Sequence, residues 1–328
     1  LFLRNYGTEI FIMKEPKELS WLEQASLLEK RGMIIDRDDA QTLQSISYYR
    51  IKQFAEPLAN FNKEKQEVNY DGVSFSEVLK RYYQDKNLRL NLLHAIEQIE
   101  VAIKTRLAYI LGQNYGPYGY LDFYQWANRE KFSNFQIEKS QYRFKEQLLK
   151  IVKKSSMPDL KKKENQNRDG FPTVWLAIDS LMFGGLVTII TTMSKRHLKR
   201  LAGYFNCTGN ELISWIKCLN FIRNICAHNS DVIDIKLNTV PLIRQSWESN
   251  LYSIKGKNGY RPTNRLAVVI FVLVTLVSAV NTKYRWKDIS SNIKNICAGN
   301  DDKARMIGFK NFESANIKKI VNNVNALN

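Results

Sequence analysis

Arg223-Asn224-Ile225-Cys226-Ala227-His228 gathers the residue types that acid–base chemistry on a phosphate ester requires. His228 is one of only three histidines in the chain. Imidazole titrates near neutrality, so it gives or takes a proton at cellular pH. Arginine stays charged and forks onto phosphate oxygens. A proton shuttle beside a phosphate clamp is the minimum needed to cleave RNA without a metal. At ~100° per residue, Asn224 and His228 stand ~40° apart on a helix and share a face, whereas Arg223 and His228 stand ~140° apart. Their heads converge only if the arginine curls round or the helix ends near His228. Asn229-Ser230-Asp231 favours such an end, because these side chains compete for backbone hydrogen bonds. An RNA phosphate also needs a base, an acid and charge stabilisation on opposite sides of phosphorus. With one motif per chain, two copies facing each other across a two-fold axis would supply them, so a homodimer is expected.

The spacing admits a plainer reading, in which His228 caps a helix C-terminus and is favoured there by the helix dipole. Arg89-Leu90-Asn91-Leu92-Leu93-His94 repeats the arginine-to-histidine interval inside a long amphipathic stretch and reads as a coincidence. The chain holds no phosphate-binding Gly-rich loop, dinucleotide fingerprint, H-E-x-x-H pair or G-x-S-x-G elbow. Asp301-Asp302 reads as a solvated turn, and three scattered histidines make a poor metal centre; no metal or cofactor is expected. Cys207, Cys218, Cys226 and Cys297 show no paired spacing and read as free thiols of a reducing cytoplasm.

Charge points the same way. Lys and Arg number 49 against 32 Asp and Glu, a net +17 with a pI near 9.6, which attracts polyanions such as nucleic acid or an acidic membrane face. Solubility and weak non-specific binding are the bland alternative. Lys153-Lys154 through Lys161-Lys162-Lys163 to Asp169-Gly170 is polar, basic and without periodicity, an exposed loop or lid that is either an RNA-contacting arm or a connector. Leu266–Val280 is apolar apart from Thr275 and Ser278. A membrane span needs roughly 20 such residues, so a buried core helix is expected and no membrane partner.

The elements that must position this chemistry read as helices. Ser20-Trp21-Leu22-Glu23, Ser74-Phe75-Ser76-Glu77 and Thr208-Gly209-Asn210-Glu211 are capping boxes. The first opens a helix to about Arg31, with Gly32 as its stop; a second helix runs from near Asp36 to Pro57. From Ser74 to about Leu111, Leu92, Ala95, Ile96, Ile99, Ile103, Leu107 and Ile110 recur at threes and fours, and Gly112 with Gly116-Pro117 ends the helix. Further helices cover 134–153 and Pro172–Met182, with a bend at Gly184-Gly185. The third box leads into Arg223–His228. The expected architecture is all-α: residues 1–12 as an upstream extension before Met13, an N-terminal helical wing at 13–71, a helical core at 72–285 and a basic C-terminal tail at 286–328.

Several motifs in order resemble the abortive-infection bacteriophage-resistance family (the AbiD/AbiF-like group) within the HEPN superfamily of RNases. They are Lys17-Glu18-Leu19-Ser20 with Gln24 and Arg31-Gly32, Ile46-Ser47-Tyr48-Tyr49-Arg50, and Gly72-Val73-Ser74-Phe75. Asp85, Leu88-Arg89 and Ile99-Glu100-Val101-Ala102-Ile103-Lys104 follow, then Pro172, Trp175, Phe183-Gly184 and Arg223–His228. The resemblance spans about residues 14–285. It implies a HEPN-like helical bundle, metal-independent RNA cleavage at a site shared by two modules, phage defence, and a small structured non-coding RNA as partner. By the same resemblance Arg223 and His228 match the catalytic pair and Asn224 the polar residue after the arginine. Glu100 and Lys104 match the acidic and basic positions of an earlier helix, where Glu100 would orient Arg223 or His228; an ordinary ion pair is the alternative. The family commonly has arginine at the position of Lys104, which weakens a bidentate role there. Tyr48, Tyr49 and Arg50 match a family motif that either stacks on and clamps RNA or packs the wing, with packing favoured for one of the two tyrosines.

The leading expectation is a cytoplasmic, homodimeric ribonuclease. Two other classes stay open: a non-catalytic RNA-binding protein forming a ribonucleoprotein, and a toxin-like scaffold held by a partner protein.

Overall fold

The computed structural model describes residues 17–36, 38–62, 67–256 and 259–327; the expected extension at 1–12 lies outside them. Helices dominate, and the only sheets among the described residues are two antiparallel hairpins, which makes the protein all-α as its periodicity predicts. The chain divides into two compact units, residues 1–83 and 84–328.

The first unit holds α1 (Trp21–Glu29), α2 (Asp39–Thr42), α3 (Tyr48–Ala55), the hairpin β1 (Asn60–Asn62) and β2 (Glu67–Asn69), and the first turns of α4 (Phe75–Tyr115). Ser20 and Glu23 close a reciprocal capping box at the start of α1. Gly32 ends it at φ +89, where a Cβ would sit 2.0 Å from Asp71 Oδ1, so only glycine fits. The single helix expected from Asp36 to Pro57 is two. Ser47 turns extended, and its hydroxyl accepts from the Arg50 amide to start α3 anew, while Pro57 sits in a 3₁₀ turn after it. Leu28, Leu43, Ile51, Phe54, Tyr70, Phe75 and Val78 form this unit's own core.

The second unit comprises the rest of α4 and α5 (Phe123–Trp126), α6 (Asn134–Lys154), α7 (Pro158–Lys161), α8 (Val174–Ser180), α9 (Phe183–Thr192), α10 (Lys195–Gly203) and α11 (Gly209–Ala227). It continues through α12 (Gln245–Glu248), the hairpin β3 (Ser253–Gly256) and β4 (Gly259–Pro262), α13 (Leu266–Val280), α14 (Lys287–Cys297), α15 (Asp301–Met306) and α16 (Ile317–Leu327). All seven apolar positions read from the period of α4 are buried. Gly112 does not stop that helix. A Cβ there would lie 3.1 Å from Val174 and 3.3 Å from Trp175, so glycine permits close approach of α8, and Gly116 at φ +70 ends the helix instead.

Other boundaries move for similar reasons. The helix expected through Met182 ends at Ser180, and Gly184-Gly185, expected as a bend, lie in the first turn of α9. The stretch after Lys154 is largely exposed but ordered by local contacts: Leu160 on the short α7 enters the main core, and Gln166 and Asn165 side chains donate to the Leu160 and Asp159 carbonyls. Residues 286–328 fold as well. Ile289, Ile293, Cys297, Ile317 and Ile320 join the main core, so an apolar stripe hidden among lysines governs this segment. Asp301 and Asp302 open α15 rather than a turn; Asp302 pairs with Arg305 and Asp301 accepts the Phe312 amide. At the centre, α13 is buried from Leu266 to Ser278, and the Thr275 hydroxyl donates to the Phe271 carbonyl at 2.8 Å. No helix among the described residues is long and apolar enough to cross a membrane.

Candidate functional site

Helix α11 carries the Arg223–His228 motif on its last two turns. Thr208 and Glu211 form the expected capping box at its start, and Leu212, Trp215, Ile216, Leu219, Ile222 and Cys226 bury one face. The opposite face is polar: Asn224 and His228 are exposed and Arg223 is half-buried. Helix α11 ends at His228. Asn229 adopts φ +57, its amide bonds the Cys226 carbonyl, and the Ser230 amide reaches back to the Ile225 carbonyl at 3.0 Å. These are the paired bonds of a Schellman ending, with asparagine in the left-handed position that usually takes glycine. His228 keeps its helical bond, its amide donating to the Asn224 carbonyl at 2.9 Å, so its Cα stays on the wheel and the long Arg223 side chain must curl to meet it.

What fixes that ending comes from far away in sequence. Arg89, on α4, sends Nη1 to Asn229 Oδ1 at 2.9 Å and Nε to Asp85 Oδ2 at 2.7 Å. Asp85 Oδ1 in turn accepts the backbone amides of Val232 and Ile233, at 2.8 and 3.1 Å. Both side chains are buried. A buried charge pair needs its remaining hydrogen-bonding capacity filled, and the segment after His228 fills it. Arg89 is thus the anchor of the His228 loop. His94, the other half of the repeated interval, takes no part there: its Nδ1 lies 2.8 Å from the Tyr284 hydroxyl. The Asp231 carboxyl beside this network is pushed up to about 8, by burial first and then by the charges of Asp234 and Asp85.

Arg223 and Asn224 line an open cleft of about 360 Å³ between α11, α9 and Gln147 of α6. Asn220, one turn before Asn224, and Thr188 of α9 add polar groups to it, while Met182, Phe183 and the adjoining glycines line the rest. Asn220, Asn224 and His228 follow one another at intervals of four and share a face, with Arg223 at its edge three residues after Asn220. Side-chain amides, a hydroxyl and a guanidinium offer donors to an anionic or heterocyclic ligand. Sequence reasoning overlooked Gln147, Thr188 and Asn220; for Asn220 the helical interval to Asn224 was the available signal.

Glu100 and Lys104 pair with each other at 3.0 Å, largely shielded from solvent, and among the described residues neither hydrogen-bonds Arg223 or His228. Lys153, Lys154, Lys161, Lys162 and Lys163 are exposed, Lys162 in an ion pair with Asp159. In the first unit, Tyr48 packs on the core while Tyr49 is 78% exposed, which settles which of the two tyrosines packs. Arg50 is half-buried and reaches the Gln53 side chain. Burial pushes the thiols of Cys207, Cys218, Cys226 and Cys297 up to about 12, and none is in a disulfide. No group of three or more metal-ligating side chains occurs among the described residues.

The polar end of α11, with its arginine, asparagine and histidine beside an open cleft, is the candidate site of this helical protein. Residues 41–234, which include the whole site, match the family described as Abi-like protein, and the chain belongs to that family. Membership places it among the abortive-infection proteins of phage defence. No curated protein and no solved structure matches the chain.

Proposed function

We propose that this Abi-like protein is a HEPN-type, metal-independent endoribonuclease of the AbiD/AbiF-like group, acting in phage defence and associated with a structured non-coding RNA. One observation carries the reading: His228 is solvent-exposed at the end of α11, one turn after the Asn224 that lines an open cleft together with Arg223. Arg223 would hold the scissile phosphate and stabilise the charge that grows on its oxygens. His228 would take the proton of the ribose 2′-hydroxyl, or give one to the leaving 5′-oxygen. The 2′-oxygen attacks phosphorus, the bond to the 5′-oxygen breaks, and a cyclic 2′,3′-phosphate and a 5′-hydroxyl result. DNA lacks the attacking group, so it would not be cut. A homodimer would bring a second His228 to serve as the other proton carrier.

The test is cleavage of a panel of structured and single-stranded RNAs in the presence of EDTA by the parent and by His228→Ala. Parent-level cleavage by the variant removes His228 from the chemistry. The excess of basic residues favours a second reading, a stable ribonucleoprotein with little turnover. A discrete RNA band that copurifies in stoichiometric amount, with no cleavage by the parent, would select it.

A further inference from the structure

Beyond the family-matched residues, the C-terminal helices build a groove of about 590 Å³ between α14 and the start of α16. Lys287, Ser290, Ser291 and Lys294 line it from α14. Their intervals of three, four and seven put all four on one helical face, with the two lysines about 10 Å apart along the axis. Lys318 faces the groove from α16, and the Phe312 ring and Ala315 supply an apolar floor. The single carboxylate in the lining, Glu313, is held by Lys319 at 2.9 Å, and that bond keeps it below the usual carboxylate range. Three exposed lysines thus share a groove whose one acid is paired with a fourth. Hydroxyls and amines arranged along a helix, beside an aromatic ring, match phosphates strung along a strand and a base that stacks.

We infer that this groove is a single-stranded RNA-binding subsite, separate from the Arg223–His228 cleft, which grips the backbone through Lys287, Lys294 and Lys318 and stacks one base on Phe312. The inference rests on the RNA reading above but not on catalysis. It gives the C-terminal segment a role in holding RNA that another site cuts.

The experiment compares the full chain with a triple variant, Lys287→Gln, Lys294→Gln and Lys318→Gln, and with Phe312→Leu. Binding of a fluorescein-labelled 20-nucleotide RNA is measured by anisotropy across a salt series, with uridine monophosphate as competitor. Each phosphate contact on a single strand contributes about 0.7 to the salt slope, so the triple variant should lower that slope by about 2 and lose roughly ten-fold or more in affinity. Phe312→Leu should weaken binding with the slope unchanged. Ultraviolet cross-links from the parent should map to peptides within 287–318, which reads the site even where a variant folds poorly. Parent-like affinity and slope in the triple variant, or cross-links confined to other peptides, overturn the groove. Competition by micromolar uridine monophosphate overturns the strand assignment in favour of a mononucleotide site. RNA cleavage lost in His228→Ala but retained at saturating RNA in the triple variant separates the two sites, whereas no RNA binding by the parent overturns both.

Discussion

Arg89 donates to Asn229, 140 residues further along the chain, at 2.9 Å. Through that bond a buried arginine on α4 sets the backbone next to His228. Asp85 closes the other side by accepting from Arg89 and from two amides beyond Asn229. The anchor makes definite claims about stability.

Removing one partner of a buried ion pair leaves the other charge stranded, at a cost of about 3–5 kcal/mol. Asp85→Ala also orphans the Val232 and Ile233 amides, so it should cost at least as much as Arg89→Ala in urea unfolding. Asp85→Leu with Arg89→Met should recover much of that loss, because it removes both charges together. A double variant no more stable than the worse single one would show that the pair is not the source.

His228 is exposed, so His228→Ala should change stability by no more than about 0.5 kcal/mol. Cleavage should fall by roughly 10²–10⁴-fold, the usual worth of a positioned acid or base. Equal loss of stability and activity would assign His228 to the fold instead.

A site completed by two chains predicts dominance. When parent and His228→Ala protomers are allowed to exchange at equal amounts, only about one dimer in four carries two intact motifs. Cleavage should fall to about a quarter of the all-parent value. A fall to one half means that each protomer works alone.

Asp231 ties stability to pH. Its carboxyl is pushed up to about 8 in the fold from an ordinary value of 3.8, because burial and two neighbouring carboxylates disfavour the anion. Between those values the folded chain holds a proton that the unfolded chain has lost. The contribution is therefore full below about pH 4, falls as pH rises, and is gone above about 8. His197 runs the other way: burial lowers it, so its contribution is present above the ordinary value of 6.5 and fades as pH drops. Asp231→Asn should flatten the decline toward pH 8 and leave the His197 limb intact. A urea midpoint that responds to pH as the parent's does would contradict this.

Buried thiols with raised pKa values react slowly. Cys218, Cys226 and Cys297 should resist maleimide in the native protein and label within minutes in urea, as counted by mass spectrometry.

Local signals in the chain were enough for the helices themselves. The capping boxes at Ser20 and Thr208 close as their spacing requires, and the seven-residue apolar stripe of α4 is buried throughout. Leu266–Val280 is a core helix because it is too short to span a bilayer and too apolar to face water. These features depend on neighbours within about one turn, so the order of residue types determines them.

The tertiary structure decided what no interval could reveal. Arg89 and Arg223 stand at the same distance from a histidine, yet one is sealed against Asp85 and the other opens onto a cleft. Tyr48 and Tyr49 are chemically alike, and only the packing of the first unit chose which faces solvent. Glu100 and Lys104 share a helical face, and the structure pairs them with each other on it. The lysine-rich segment after residue 286 folds because its sparse isoleucines find a core already built by α13. Burial and partner choice depend on groups brought together from across the chain, so they follow from the fold rather than from local order.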